Sequence, residues 1–259
     1  ETGNASGPLA SMDSAVEGDD SLKVHSLFYS FPIGDLEVTA GPLVDQDDVV
    51  AATTSAYSDA FRLGAMPFSL AGSETGPGVG VAYEADNGLV ASASYVSVGG
   101  NNSTQGIATE NGDDVATFTF GYNGEGFGGG IVLATNDGHA ADTTATAYDT
   151  LGAGIYFSPE SFPATISLAY DSKDPESGSN SSDVFVGIDY EVGPGTLSAG
   201  YNSTDVDGGS AEDQVGFEVS YAYAINDHVT ITPGFFTVEE TTANKSDDTG
   251  VVLETAFSF

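Results

Sequence analysis

At the end of the chain Val251, Leu253, Thr255, Phe257 and Phe259 alternate with Val252, Glu254, Ala256 and Ser258. A period of two sets alternate residues on opposite faces of a strand. Val215, Phe217, Val219, Tyr221 and Tyr223 alternate in the same way with Gly216, Glu218, Ser220 and Ala222. So do Val229, Ile231, Pro233 and Phe235 with His228, Thr230, Thr232 and Gly234, and Ala164, Ile166, Leu168 and Tyr170 with Thr165, Ser167 and Ala169. Each segment has an apolar, aromatic-rich face and a small, polar face with a few acids. The second face would make a poor core but a good wall for water.

Segments of this kind, roughly 9–11 residues long, recur about thirteen times. They are predicted to begin near Leu22, Asp35, Gly78, Gly88, Asp114, Gly126, Thr150, Pro163, Ser182, Gly195, Gln214, His228 and Gly250. Short turns are expected at Pro32–Gly34, Ala85–Asn87, Asn123–Glu125, Ser158–Phe162, Val192–Pro194 and Ile225–Asp227. Long connections are expected at Leu43–Pro77, Val98–Asp113, Thr135–Asp149, Asp171–Ser181, Asn202–Asp213 and Glu239–Thr249. Helical caps and stripes are largely absent. Short-long alternation without helices predicts an all-β, antiparallel, up-and-down meander.

Charge sharpens this picture. The sequence has 39 acids against 4 bases, Lys23, Arg62, Lys173 and Lys245, for a net −35. That excludes the basic footprint of a nucleic-acid binder and the Lys/Arg cluster of an anionic lipid-surface binder. An acidic surface also suits salty water, where screening weakens self-repulsion. Disorder is argued against by 12 Tyr, 15 Phe and 34 Gly set in patterned segments. There is no Cys, hence no disulfide framework or thiolate metal site. No apolar run is long enough for a transmembrane helix, and no signal-peptide pattern opens the chain. Neither test detects a transmembrane β-barrel, whose sign is this alternation.

A soluble β-sandwich is the competing fold, since its apolar face would meet a second sheet. Aromatics near strand ends favour the membrane: Tyr29, Tyr83, Tyr122, Phe127, Phe157, Phe162, Tyr190 and Tyr223 resemble an interfacial girdle. The expected fold is therefore a transmembrane antiparallel up-and-down β-barrel. Strand parity adds to it. The first and last predicted strands both run toward the short-turn side, whereas a closed bacterial barrel normally has an even strand number. Glu1–Asp20, rich in Gly, Ser and Asp, reads as the remnant of a long loop, with residues 21–259 as barrel. Three further strands ahead of it would make about sixteen.

Candidate chemistry is sparse. His25, His139 and His228 lack ligand spacing. No Ser/His/Asp set has a nucleophile turn, so nothing marks an enzyme. GEGFGGG, Gly124–Gly130, opens a strand with no following helix, so it is not a phosphate loop, and its glycines fit a turn and a curved wall. No cofactor is expected. Asp45/Asp47/Asp48 and Asp205/Asp207 offer clustered hard oxygens for Ca²⁺, yet solvated acidic loops explain them as well. Asp189, Glu218 and Glu254 fall on the small polar face, where wall acids would concentrate cations, or would simply be wall residues with no measurable role.

Phe28–Val49 reads FYSFPIGDLEVTAGPLVDQDDV, followed by GVGVAYEADNGLVASASYVS at Gly78–Ser97, ATEN at Ala108–Asn111 and a terminal TAFSF. These segments resemble the barrel of outer-membrane porins of marine cyanobacteria, in the cyanobacterial iron-uptake porin family related to carbohydrate-selective porins. The resemblance spans most of the chain from about residue 20 onward; the FYSFPIGD–VTAGP core carries it, the remaining hairpins being generic barrel. It implies an outer-membrane location, lipid contact, a homotrimer, and passive diffusion of ions and small hydrophilic solutes, including inorganic iron or carbohydrate. Members of that family usually carry a surface-layer-homology domain and the first barrel strands upstream, which this sequence does not contain. In sixteen-stranded porins the loop after the fifth strand folds into the lumen. With three further strands upstream, that loop is Leu43–Pro77, the longest connection here. Its charged residues Asp45, Asp47, Asp48, Asp59, Arg62 and Glu74 are then the expected constriction, and the pore is expected to prefer cations. The alternative is an adhesion or structural barrel with a plugged lumen, which would not conduct.

Overall fold

The computed structural model describes residues 24, 26–58, 74–138, 146–208, 213–239 and 247–258. It contains thirteen strands: β1 (Leu27–Ile33), β2 (Leu36–Asp45), β3 (Thr75–Glu84), β4 (Leu89–Val98), β5 (Asp113–Asn123), β6 (Phe127–Asn136), β7 (Tyr148–Phe157), β8 (Ala164–Pro175), β9 (Ser181–Val192), β10 (Gly195–Val206), β11 (Gln214–Asn226), β12 (Val229–Val238) and β13 (Asp248–Phe257). They form one sheet in sequence order. Each consecutive pair is antiparallel, from Ile33↔Leu36 to Val229↔Phe257. This is the up-and-down meander that the alternation predicts. Among the described residues no helix is long and apolar enough to cross a membrane.

Two-residue turns join β1 to β2 and β9 to β10, with Gly34 at φ 62° and Gly193 at φ 61°. Only glycine takes this left-handed conformation without steric cost. At the other end most connections are longer, and they differ from expectation in their bounds. The ladder does not stop at Gly41: a register shift follows it, and pairing resumes at Val44↔Gly76 and Asp45↔Thr75. The bulge keeps the strand going by leaving residues unpaired. The longest connection is therefore 46–74, and Asp45 is the last residue of β2. Likewise β8 runs on to Pro175, opposite Tyr148, which leaves 176–180 as a short connection where a long one is expected. The first strand begins at Leu27, five residues after the expected start.

The outward face carries Phe118, Phe120, Ile131, Leu133, Leu151, Ile155 and Leu168, all exposed. In water such a surface would be an aggregation hazard; in a bilayer it is the solvated face. Tyr83, Phe127, Phe157, Phe162 and Tyr190 are exposed near the short-turn ends. Phe162 packs its ring 6.4 Å from Tyr190, and Tyr122 lies 5.2 Å from Phe127. This is one interfacial girdle. The inward face is mostly hydroxylic and small: Ser92, Ser94, Thr117, Thr119, Thr150, Ser167, Ser198 and Ser220 are buried there. Phe185 and Phe236 are apolar residues on it, also buried. The ring of Phe236 lies over Gly250, and Phe185 has a partner described below.

Candidate functional site

The chain that leaves β2 does not extend away from the sheet but crosses its inward face. Gln46 starts the crossing: its N–H donates to Glu74 O at 3.0 Å and its Nε2 to Thr117 Oγ1 on β5 at 2.8 Å. A single 3-10 turn, Asp47–Val49, follows. It is held by Asp45 N–H donating to Asp48 Oδ2 at 3.1 Å and by Val50 N–H donating to Asp47 O at 3.1 Å. Val49 packs with Val44 and Val96 in a small apolar cluster.

Residues 50–58 have no regular structure, so their backbone groups need other partners. The wall supplies them. Ala51 N–H donates to Ser92 Oγ on β4 at 3.1 Å. Asn123 on β5 clamps two points, accepting from Thr53 N–H at 2.9 Å and donating to Ala51 O at 2.9 Å. Ala56 N–H donates to Ser167 Oγ on β8 at 3.0 Å. Ser58 N–H donates to Asp189 Oδ2 on β9 at 2.9 Å. Tyr57 OH donates to Glu218 Oε1 on β11 at 2.6 Å. Residues 46–58 thus form a strap tied from β4 to β11.

Glycines make room for the strap. A Cβ at Gly80 would collide with Val49. One at Gly130 would stand 2.6 Å from Ala52 Cβ, and one at Gly121 2.8 Å from it. Only a bare backbone permits this approach. Gly130 was expected to serve a turn or wall curvature; the turn falls instead on Gly124 and Gly126, and Gly130 seats the strap.

The charges gather where the strap begins. Asp45 is buried and accepts from Thr75 Oγ1 at 3.0 Å; Asp47 and Asp48 are exposed. Burial, then a hydrogen bond with Asp45, then the charges of Asp45 and Asp48 push the Asp47 carboxyl from 3.8 up to about 6. Its outer side still meets water, which screens part of this effect. Burial, and next the Asp113 charge, also raise the Glu74 carboxyl, against the opposing Lys173 charge. Tyr148 OH donates to Glu74 Oε1 at 3.4 Å, and Asn136 Nδ2 donates to Asp113 Oδ1 at 2.7 Å. Lys173 Nζ stands 3.7 Å from the centroid of the Tyr148 ring, a cation–π contact. Lys173 is the one Lys or Arg among the described residues.

Of the expected site residues, Asp45, Asp47, Asp48 and Glu74 come together at the strap's base. Asp59 and Arg62 lie outside the described residues, as do residues 1–23, His25, His139 and Phe259. Glu218 and Asp189 are on the inward face but beneath the strap, at 0 % and 7 % exposure. Glu254 is half-buried on the same face, opposite Thr232. Asp205 and Asp207 are exposed, and among the described residues no three His, Asp or Glu side chains gather in metal-binding geometry. Sequence reasoning passed over Asp113, Asn123, Tyr57 and Lys173. Strand parity alone could have placed Asn123 and Lys173 on the inward face.

A family model described as Gram-negative porin matches residues 60–256. Among solved structures, the loop L8 deletion mutant of OmpT, an outer-membrane protein of Vibrio cholerae, superposes with a TM-score of 0.66 at 14% identity, over 91% of this chain and 80% of that one. In-vitro folded OmpT in its trimer form gives 0.62 at 15%, over 94% and 79%. An anion-selective porin from Comamonas acidovorans gives 0.61 at 14%, over 89% and 72%. No curated protein sequence matches the chain.

Proposed function

This chain belongs to the Gram-negative porin family and to the outer membrane, and from that premise we propose that it lines a water-filled, cation-preferring pore narrowed by the 46–58 strap. The strap's path along the inward face is the observation that carries this reading. Residues 46–58 run along the inner wall, and their base presents the exposed Asp47 and Asp48, with Asp45 buried behind them and Glu74 half-buried beside Asp113. In a narrow passage of low effective dielectric, a few uncompensated carboxylates bias ion entry. Wall acids such as Glu254 add the same sign. Inorganic iron species and small carbohydrates are the solutes that the cyanobacterial resemblance implies. A homotrimer is supported by the trimer form of the Vibrio protein. The seam of the barrel is proposed to hold three further strands between β13 and β1, since these two edges are unpaired among the described residues.

Single-channel recording in a planar bilayer tests the pore; absence of conductance would favour a plugged adhesion barrel. Reversal potentials under a salt gradient test its sign. The protein should be cation-selective at 0.1 M salt and lose most of that bias at 1 M, as the screening length falls from about 10 Å to about 3 Å. An Asp45/Asp47/Asp48→Asn triple variant should be less selective at low salt. Anion selectivity in the unsubstituted protein would overturn the charge argument.

The raised carboxyls give a pH dependence. Cation preference should fall as pH drops through about 6, where Asp47 takes up its proton, and the Glu74 carboxyl, also raised by burial, adds to the loss. Protonation of Asp47 does not itself destabilise the fold. Because the folded state raises the Asp47 pKa, this group's contribution to stability is full below 3.8 and is lost as pH rises through about 6. Acidification to pH about 5 therefore favours the fold at this residue while removing its charge. A selectivity flat between pH 8 and 5 would remove Asp47 from the ion path.

A further inference from the structure

We propose that Glu218 and Asp189 are positioning residues that hold the strap against the wall at Tyr57 and Ser58, acting on permeation through those two residues and not as charges met by the solute. The proposal rests on the pore reading and deepens it. By sequence the two acids look like pore-wall charges, on the same face as Glu254. The geometry separates them from Glu254. Glu218 is fully buried and Asp189 nearly so, so a passing ion does not reach either carboxylate. Their oxygens face donors of the strap and wall. Glu218 Oε1 accepts from Tyr57 OH at 2.6 Å. Asp189 Oδ2 accepts from Ser58 N–H at 2.9 Å, and its Oδ1 from Ser198 Oγ at 2.5 Å.

Around Tyr57 the wall forms a fitted socket. Phe185 on β9 meets the Tyr57 ring at 5.1 Å between centroids, tilted by 58°. This is the partner that explains a phenylalanine on a polar face. A Cβ at Gly187 would stand 2.6 Å from Tyr57 Cδ2, and one at Gly200 on β10 2.9 Å from Tyr57 Oη. Three adjacent strands therefore each contribute a feature that one tyrosine ring uses: an aromatic edge, two bare backbones and a carboxylate. Hydrogen bonds to charged acceptors are among the stronger ones, so the socket is an effective place to fix a segment that lacks secondary structure. The remaining ties, at Gln46, Ala51, Thr53 and Ala56, lie closer to the strap's origin. Within residues 46–58, Tyr57 and Ser58 make the ties farthest from that origin.

The test uses the protein in lipid, with Glu218→Gln, Glu218→Ala, Tyr57→Phe and Asp48→Asn variants. Glutamine keeps an acceptor oxygen for the Tyr57 hydroxyl but no charge. Glu218→Ala and Tyr57→Phe should raise the released fraction of the strap roughly tenfold or more. That release reads as faster hydrogen exchange at the Ala56 and Ser58 amides and as noisier, broadened single-channel conductance. Glu218→Gln should restore both readouts and leave the reversal potential at the unsubstituted value, whereas Asp48→Asn shifts it. A Glu218→Gln reversal potential shifted as far as that of Asp48→Asn would overturn the proposal, as would unsubstituted exchange in Tyr57→Phe. If the unsubstituted protein does not conduct but exchange follows this pattern, the anchor stands and the pore reading falls.

Discussion

Replacing Ile131 by arginine should destabilise the membrane-inserted protein by about 2–4 kcal/mol, a factor of roughly 30 to 900 in the folding equilibrium. Ile131 is the central residue of β6, exposed on the outward face. Its cross-strand neighbours are Phe120 on β5 and Ala153 on β7. It sits four residues from Phe127, which marks the interfacial girdle. An arginine there meets hydrocarbon near the midplane, far from both polar boundaries, so its side chain cannot easily reach water. The measurement is urea-dependent folding into lipid vesicles, followed by heat-modifiable electrophoretic mobility. Glu254→Arg is the matched control, because Glu254 lies on the opposite face of its strand and is half-buried. If both arginines are tolerated alike, the assignment of the apolar face to lipid fails.

That contrast was legible in the sequence because faces follow parity, and parity needs no knowledge of partners. Strand starts at Gly195 and Gln214 fall where the alternation places them. Errors arise where local chemistry interrupts alternation without ending pairing. Pro42 and Leu43 look like the end of a strand, yet the bulge after Gly41 absorbs them and Val44 rejoins the ladder. Asp171 and Lys173 look like loop, yet they pair with Gly152 and Thr150. A charged side chain on the inward face avoids lipid and can stay within the ladder, so charge alone does not mark a strand end.

The strap could not be read in this way. Its segment AATTSAYS has no period and no turn signal. Its contacts join residues far apart in sequence, 111 positions for Ala56 and Ser167 and 161 for Tyr57 and Glu218. A hydroxyl or a glycine on a strand's inward face carries no mark of whether it meets water or another stretch of chain. The acids show the same ambiguity. By sequence Glu218 and Glu254 are equivalent, and only the covering strap makes one a tether and leaves the other beside the lumen.

Cysteines placed on β1 and β13 should fail to cross-link in the protein's native outer membrane. The directions of the strands carry this expectation. β1 ends in the short turn at Gly34, and β13 follows the long connection 239–247, so both run toward the short-turn side. Antiparallel closure between two strands of the same direction needs an odd number of strands between them. Three such strands put four spacings of about 4.8 Å, roughly 19 Å, between the edges. A disulfide requires Cα atoms within about 7 Å. The chain has no Cys, so introduced pairs report without background. Phe31→Cys would be combined in turn with Val251→Cys, Leu253→Cys and Thr255→Cys. The positive control is Phe235→Cys with Val251→Cys, which face each other across β12 and β13. Under mild oxidation the control should close nearly completely and the three test pairs not at all. Efficient closure of any test pair would show β13 paired directly with β1, a parallel seam of the kind found in the 19-stranded mitochondrial channel. The proposed three strands would then be wrong, while the outward and inward faces of all thirteen strands would be unaffected.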